Sequence, residues 1–337
     1  MSAEWLFSMD VDYFGEYFSE SSYVCGFVGR DYGILRYTGE DALDLLSRMS
    51  TNALMELPDN HGIETVLTSA KGRIVDVVFV LRQGQNILMF TSPGNNMNVL
   101  EWIDRYTIME DAAVQDITGK FEIISVMGPD AAKILSLICG IEAEPIEEGS
   151  QYQITQGPLI VRRDFGGVRS YDVISTQEYS SMLQTDLIET GLINLGAEIL
   201  ESIRIREYIP RFGAELTDAF NPLEAGLISK ISFTKGCYIG QEVIARLNTY
   251  DKVQKCLVGF RSELAKEIEP NTRLVKDGKQ VGIITSSIIE PTTNSWIGLG
   301  YIRKREAISG SSLLIENNDA DVKVVLQNEQ QSYSYSS

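Results

Sequence analysis

The amino-acid sequence predicts an α+β fold that ends in a small β-barrel. Three observations carry this expectation. Strand-like and helix-like segments alternate through the first 250 residues, three strands in the front half follow one another as a meander, and beyond residue 253 only short alternating strands remain. At 337 residues the chain exceeds one ordinary core, so two or three domains are expected.

The elements follow in order. Residues 1–24 mix acids with aromatics, and Trp5, Met9, Tyr13 and Tyr17 recur at helical spacing as a stripe that faces a core or docks a domain. Residues 33–37 read as a strand. Thr38, with Asp41 three positions on, reads as the cap of a helix that buries Ala42, Leu45, Leu46 and Met49. The meander takes residues 63–68, 74–81 and 87–91, with turns around Gly72 and Gly84. A helix over 94–106, a strand over 121–127 and a helix opened by Pro129 come next, since a proline loses nothing at a first helical turn. Residues 152–164 and 171–175 read as paired strands, and 177–190 and 196–207 as helices. Six barrel strands are expected at 256–260, 273–276, 281–286, 296–301, 313–315 and 322–326. Two interleaved α+β subdomains therefore fill 1–250 and a barrel fills 251–327, while the polar residues 328–337 are expected to be disordered.

Composition narrows the function. Lys+Arg 29 against Asp+Glu 47 gives a net charge of −18, which repels phosphate backbones and argues against direct nucleic-acid binding. Local basic groups (Lys230, Lys235 and Arg246, or Arg162, Arg163 and Arg169) can bind a small anion or can form a solvated face. Four scattered cysteines without a CxxC pair suggest neither a disulfide framework nor a zinc site, and a cytoplasmic setting is expected. The one histidine, His61, reads as a loop residue, so no His-rich metal site is available. There is no apolar run of about 18 residues and no basic leader at Met1, so neither a membrane span nor a secretory signal is expected.

Two places concentrate chemistry. In the apolar strand around Asp76 a carboxylate is costly to bury, which marks either a functional group or the polar face of an alternating strand. The octad Lys235-Gly236-Cys237-Tyr238-Ile239-Gly240-Gln241-Glu242 sets a thiol beside a cation, between two glycines and before a helix start. Either Cys237 is a reactive thiol whose thiolate is favoured by Lys235 and backbone N–H groups, or it is a small buried side chain on a turn.

This octad, continued by Val243-Ile244-Ala245-Arg246, resembles the signature of the YgfZ-like folate-binding proteins, relatives of the glycine-cleavage T protein (aminomethyltransferase). Arg204-Ile205-Arg206-Glu207-Tyr208-Ile209-Pro210 is similar to that family's Arg-Ile-x-x-Gly-x-Pro segment, and Asn221-Pro222-Leu223-Glu224-Ala225-Gly226-Leu227 to its Asn-Pro-x-Glu-x-Gly-Leu. The chain departs at Tyr208, where many relatives have glycine, and at Asp251-Lys252, where they often turn on glycine; the first leaves the backbone path before Pro210 open. The resemblance runs over about residues 26–327 and implies a three-part ring of the aminomethyltransferase folate-binding type with a C-terminal barrel. It implies tetrahydrofolate or a derivative as ligand, with Asp76, Asp172 and Glu207 as folate-binding carboxylates. It also implies Cys237 as the working residue of the motif, and iron–sulfur client enzymes or assembly factors as partners, tRNA-modifying radical enzymes among the clients. The alternative it leaves open is a folate-dependent one-carbon transferase, an aminomethyltransferase or demethylase.

Overall fold

The computed structural model describes residues 23–262, 268–316 and 321–326. The expected stripe from Trp5 to Tyr17 and the expected disordered tail lie outside the described residues. The chain divides into two compact units that interleave in sequence, residues 1–30 with 119–200 and residues 31–118 with 201–337.

Strand β1 (Gly26–Arg30) belongs to the first unit. The chain then enters the second, with β2 (Gly33–Thr38), α1 (Ala42–Met49), β3 (Gly62–Thr68), β4 (Ile74–Gln83), β5 (Asn86–Thr91), α2 (Asn96–Tyr106) and β6 (Ala113–Asp116). These strands form an antiparallel sheet in the order β3-β4-β5-β2-β6, so the expected meander is its first half. Ala42, Leu45, Leu46 and Met49 of α1, at i, i+3, i+4 and i+7, and Val99, Trp102 and Ile103 of α2, at i, i+3 and i+4, bury one sheet face, packing on Leu35, Tyr37, Val78, Val80 and Met89. Each such side chain contributes roughly 1.5–3 kcal/mol by leaving water. Thr38 does not cap α1. Gly39 turns the chain at a φ of +123°, so Thr38 stays at the end of β2 with its hydroxyl on Ala113 O. Asp41 precedes the helix, and its carboxylate accepts the Asp111 N–H at 2.8 Å instead of capping.

The first unit resumes with β7 (Glu122–Met127), α3 (Ala131–Cys139), β8 (Gln151–Gln153), β9 (Leu159–Arg162), β10 (Ser170–Ser175), α4 (Gln177–Glu189) and β11 (Ile193–Asn194). Its sheet runs β11-β1-β7-β10-β9-β8, parallel only between β1 and β11. The strand expected over 152–164 is a hairpin of β8 and β9, because Gln156 takes a φ of +57° and Ile154 N–H closes the turn on Pro158 O at 3.2 Å. One face, with Phe27, Ile124, Val126, Ile160, Tyr171 and Val173, packs against α3 and α4.

Helix α5 (Gly196–Arg206) leads back to the second unit, and an irregular stretch precedes α6 (Gln241–Thr249). At its end α5 forms a Schellman turn: Ile209 N–H reaches Arg204 O and Tyr208 N–H reaches Ile205 O, with Tyr208 left-handed at a φ of +54°. Asp251 is left-handed too, at +45°. Both places where this chain lacks the relatives' glycine thus keep the backbone that glycine would favour. Beyond them β12 (Lys255–Ser262), β13 (Arg273–Lys276), β14 (Lys279–Ile289), β15 (Trp296–Arg303), β16 (Ser312–Ile315) and β17 (Asp321–Val325) close into a barrel in the order β12-β15-β14-β13-β16-β17. Val258, Phe260, Leu274, Ile284, Trp296, Ile302 and Leu313 fill it, and closure removes the exposed edges of an open sheet.

Candidate functional site

The octad braces the second unit, chiefly through Lys235, Tyr238, Ile239 and Gly240. The Lys235 ammonium donates to Ser47 O at 2.7 Å, Ser50 O at 2.8 Å and Asn52 O at 2.7 Å, and lies 5.4 Å from the Tyr238 ring centre. Those carbonyls belong to the last turn of α1 and the residues after it, where helix geometry leaves acceptors without partners and the dipole favours a cation. Burial pushes the lysine down to about 8. Its three N–H bonds all go to these carbonyls, so none is directed at the neighbouring thiol.

The main chain around it is equally engaged. Ile239 N–H donates to Arg48 O at 2.9 Å, Thr68 Oγ1 donates to Ile239 O at 2.6 Å, and Ser232 N–H donates to Thr51 O. Tyr238 is buried with Leu223, Ile231, Ile244 and Val253, which raises its phenol to about 12. Gly240 caps α6 at a φ of +84°, and a Cβ there would sit 2.6 Å from Ser69 O in the turn between β3 and β4. Gly236 differs: its φ is not positive, and a Cβ would meet nothing within 4 Å. Gln241 N–H closes on Tyr238 O, while Glu242 and Arg246 project from α6 as exposed side chains.

Cys237 is exposed, which removes the alternative of a buried turn residue. The other three thiols are buried or half-buried, and burial raises Cys25 to about 12, Cys256 to about 11, and Cys139 above the ordinary thiol value. An exposed thiol on a braced loop can present its sulfur to a partner without refolding the loop.

Asp76 lies in β4 and is fully buried. Its Oδ1 accepts Val77 N–H at 2.8 Å and its Oδ2 accepts Ser92 N–H at 3.1 Å. Val78 and Val80 belong to the core under α1 and α2, whereas Val77 packs in a second cluster with Val66, Ile205, Phe220 and Tyr301. Asp76 pairs across the ladder with Leu67, a member of the α1–α2 core, which places it on that face. Desolvation outweighs its hydrogen bonds to Ser92, Asn95 and Val77, and lifts the carboxyl to about 6.

The remaining predicted residues lie on other elements. Asp172, in β10 of the first unit, accepts a hydrogen bond from Ser125 Oγ and lies 3.6 Å from Arg163 Nη1. Glu207 is half-buried just past the end of α5, beside Tyr208, whose neighbours are on the Val77 face of β4. Asp76 and Glu207 thus belong to the same unit. Among the basic groups, Lys230 pairs with Glu64, Arg162 with Asp164, Arg169 with Glu144, and Arg163 with Asp172.

Sequence reasoning missed Glu215. It is fully buried and accepts from Arg204 Nη1 at 3.2 Å, Arg211 N–H at 2.9 Å, Thr285 Oγ1 at 2.5 Å and Ser286 Oγ at 2.6 Å, tying the end of α5 to barrel strand β14. Glu290, held by Arg206 and Thr293, makes a second tie. Their ties across the fold could not be read from spacing, since Thr285 and Ser286 for Glu215, and Arg206 for Glu290, lie 70 or more residues away. Among the described residues no group of three or more His, Cys, Asp or Glu could hold a metal ion, and no helix is long and apolar enough to cross a membrane.

Comparison with known proteins agrees with this architecture. The GCVT N-terminal domain family matches residues 30–235, and the glycine cleavage T-protein C-terminal barrel domain family matches residues 255–329. A chloroplastic protein of Arabidopsis thaliana, assigned as a transferase, is 30% identical over 84% of this chain and 66% of its own length. An aminomethyltransferase of Halothermothrix orenii is 25% identical over 84% of this chain and 81% of its own. The crystal structure of the glycine cleavage system aminomethyltransferase T from Bartonella henselae superposes with a TM-score of 0.82 at 16% identity, covering 96% of this chain and 90% of that one, and so shares its fold.

Proposed function

This chain belongs to the glycine-cleavage T-protein family, and from that premise we propose that it is a YgfZ-like member that binds tetrahydrofolate or a derivative. In this reading it supports iron–sulfur cluster assembly or repair in client enzymes, tRNA-modifying radical enzymes among them, in the cytoplasm. The observation that carries the reading is the exposure of Cys237 on a loop that Lys235, Tyr238, Ile239 and Gly240 hold in place. A thiol kept at the surface of so braced a loop suits transient ligation of iron or sulfur on a partner.

The residues fit a reduced folate in part. Bound folate would supply ring nitrogens able to carry a one-carbon unit. The Asp76 carboxylate already accepts from Ser92, Asn95 and Val77, so a folate donor would replace one of its side-chain bonds, and a carboxyl near 6 ionises readily once a further donor is in reach. Glu207 offers a partly exposed carboxylate beside Tyr208. Reaching Asp76 requires the β5–α2 turn at Ser92 to yield, because that turn covers its carboxylate.

A calorimetric titration with tetrahydrofolate and its formyl derivative, under reducing conditions, tests the ligand; saturable one-site binding is expected. The Cys237→Ser variant should keep that affinity and the native melting temperature, and should fail to restore activity of an iron–sulfur enzyme in a deletion strain. Full rescue by the serine variant would remove Cys237 from the mechanism. The second reading, a folate-dependent one-carbon transferase, is favoured by the raised carboxyl of Asp76. It requires release of folate-linked one-carbon product from a methylaminated carrier protein.

A further inference from the structure

Ile108 and Met109 are 83% and 93% exposed in the loop after α2. Single exposed apolar side chains are ordinary, but this pair stands on a built turn. The Glu110 Oε2 accepts the N–H groups of both Ile108 and Met109 at 3.1 Å, and Arg48 Nη2 holds its Oε1 at 3.2 Å. Those backbone donors, Met109 first, bring the Glu110 carboxyl down to about 2, so the clamp persists across the physiological range. Asp41 fastens the other side, exchanging two main-chain and side-chain bonds with Asp111. Arg48 is itself anchored, since its carbonyl accepts Ile239 N–H from the octad.

The surroundings are acidic. Asp41, Asp44, Glu110 and Asp111 are linked through Arg48 and the Asp41–Asp111 bonds, with Arg105 at the end of α2 as a further nearby cation, in a chain of net charge −18. We propose that the Ile108–Met109 tip is a preformed docking prong for a protein partner whose surface offers an apolar pocket edged by lysine or arginine side chains. Preorganisation lowers the ordering cost of association, and the acidic rim selects for charge as the tip selects for apolar shape. Anionic lipid headgroups are disfavoured by the same rim. The inference is independent of the roles given to Cys237 and folate.

The test uses the full chain and an amphipathic 18-residue helical peptide with one leucine face and lysines along its borders, together with a twin carrying glutamates in place of the lysines. The native protein should bind the lysine peptide and not its twin. The Ile108→Ser/Met109→Ser double variant, which loses no buried contact, should keep the native melting temperature and bind at least about tenfold more weakly. Glu110→Ala, which frees the turn, should weaken binding less. Equal binding by the double variant would reduce the effect to bulk charge and overturn the proposal. It is also overturned if the native protein binds neither peptide, or if the tip instead drives binding to phosphatidylcholine or phosphatidylglycerol vesicles.

Discussion

Asp76 carries the sharpest residue-scale prediction. Its carboxyl is raised in the fold, from 3.8 to about 6, so the native state holds a proton that the unfolded chain has released between those values. Stability from this group is therefore complete below about pH 4 and is lost as pH rises through 6. Asparagine cannot ionise, so the stability of Asp76→Asn relative to the native protein should improve between pH 4 and pH 7, by up to about 3 kcal/mol, as read from denaturant titrations at both values. A difference independent of pH would mean that the carboxyl titrates normally. The same variant should bind tetrahydrofolate more weakly; unchanged affinity would leave Asp76 as a brace for the β5–α2 turn, a role its hydrogen bonds to Ser92 and Val77 already give it. That this strand held an unusual acid was legible in the sequence, from one carboxylate among valines. Which face it served was not, because the alternation is broken by the irregular pairing of β3 and β4 beside it.

At the scale of the element, the two glycines of the octad read alike in sequence and behave differently in the fold. Gly240→Ala places a Cβ against Ser69 O and a side chain at a φ of +84°. It should cost more than about 1 kcal/mol and loosen the junction of α6 with the β3–β4 turn, seen as a lower melting temperature and faster amide exchange across residues 69–72. Gly236→Ala meets open space and should change stability by less than about 0.5 kcal/mol. The six barrel strands were legible because each is short, alternating and bounded by turn residues. The hairpin of β8 and β9 was marked too, by Thr155-Gln156-Gly157-Pro158, but a single strand over 152–164 passes over that signal; its turn rests on a left-handed Gln156. Tyr208 teaches the converse lesson: a side chain can change while the capping geometry of α5 stays, because the hydrogen bonds to Arg204 and Ile205 hold the backbone.

At the scale of the whole molecule, Glu215 joins α5 and the loop after it to the barrel within the second unit. Removing it strands a buried guanidinium and two hydroxyls, so Glu215→Ala should cost about 3–5 kcal/mol and lower the melting temperature of this unit by calorimetry. A loss under about 1 kcal/mol would show that Arg204 is satisfied by Glu201 and Ile209 O alone. The sequence by itself determined the α+β class, the meander, the terminal barrel and the octad, because each rests on local periodicity or on a run of adjacent residues. Only the tertiary structure decided that residues 31–118 of the second unit interrupt the first in sequence, that the Lys235 ammonium bonds carbonyls at the end of α1, and that Cys237 is exposed. Those outcomes depend on partners tens to hundreds of residues distant, and burial and hydrogen bonding choose such partners only after the chain has closed on itself.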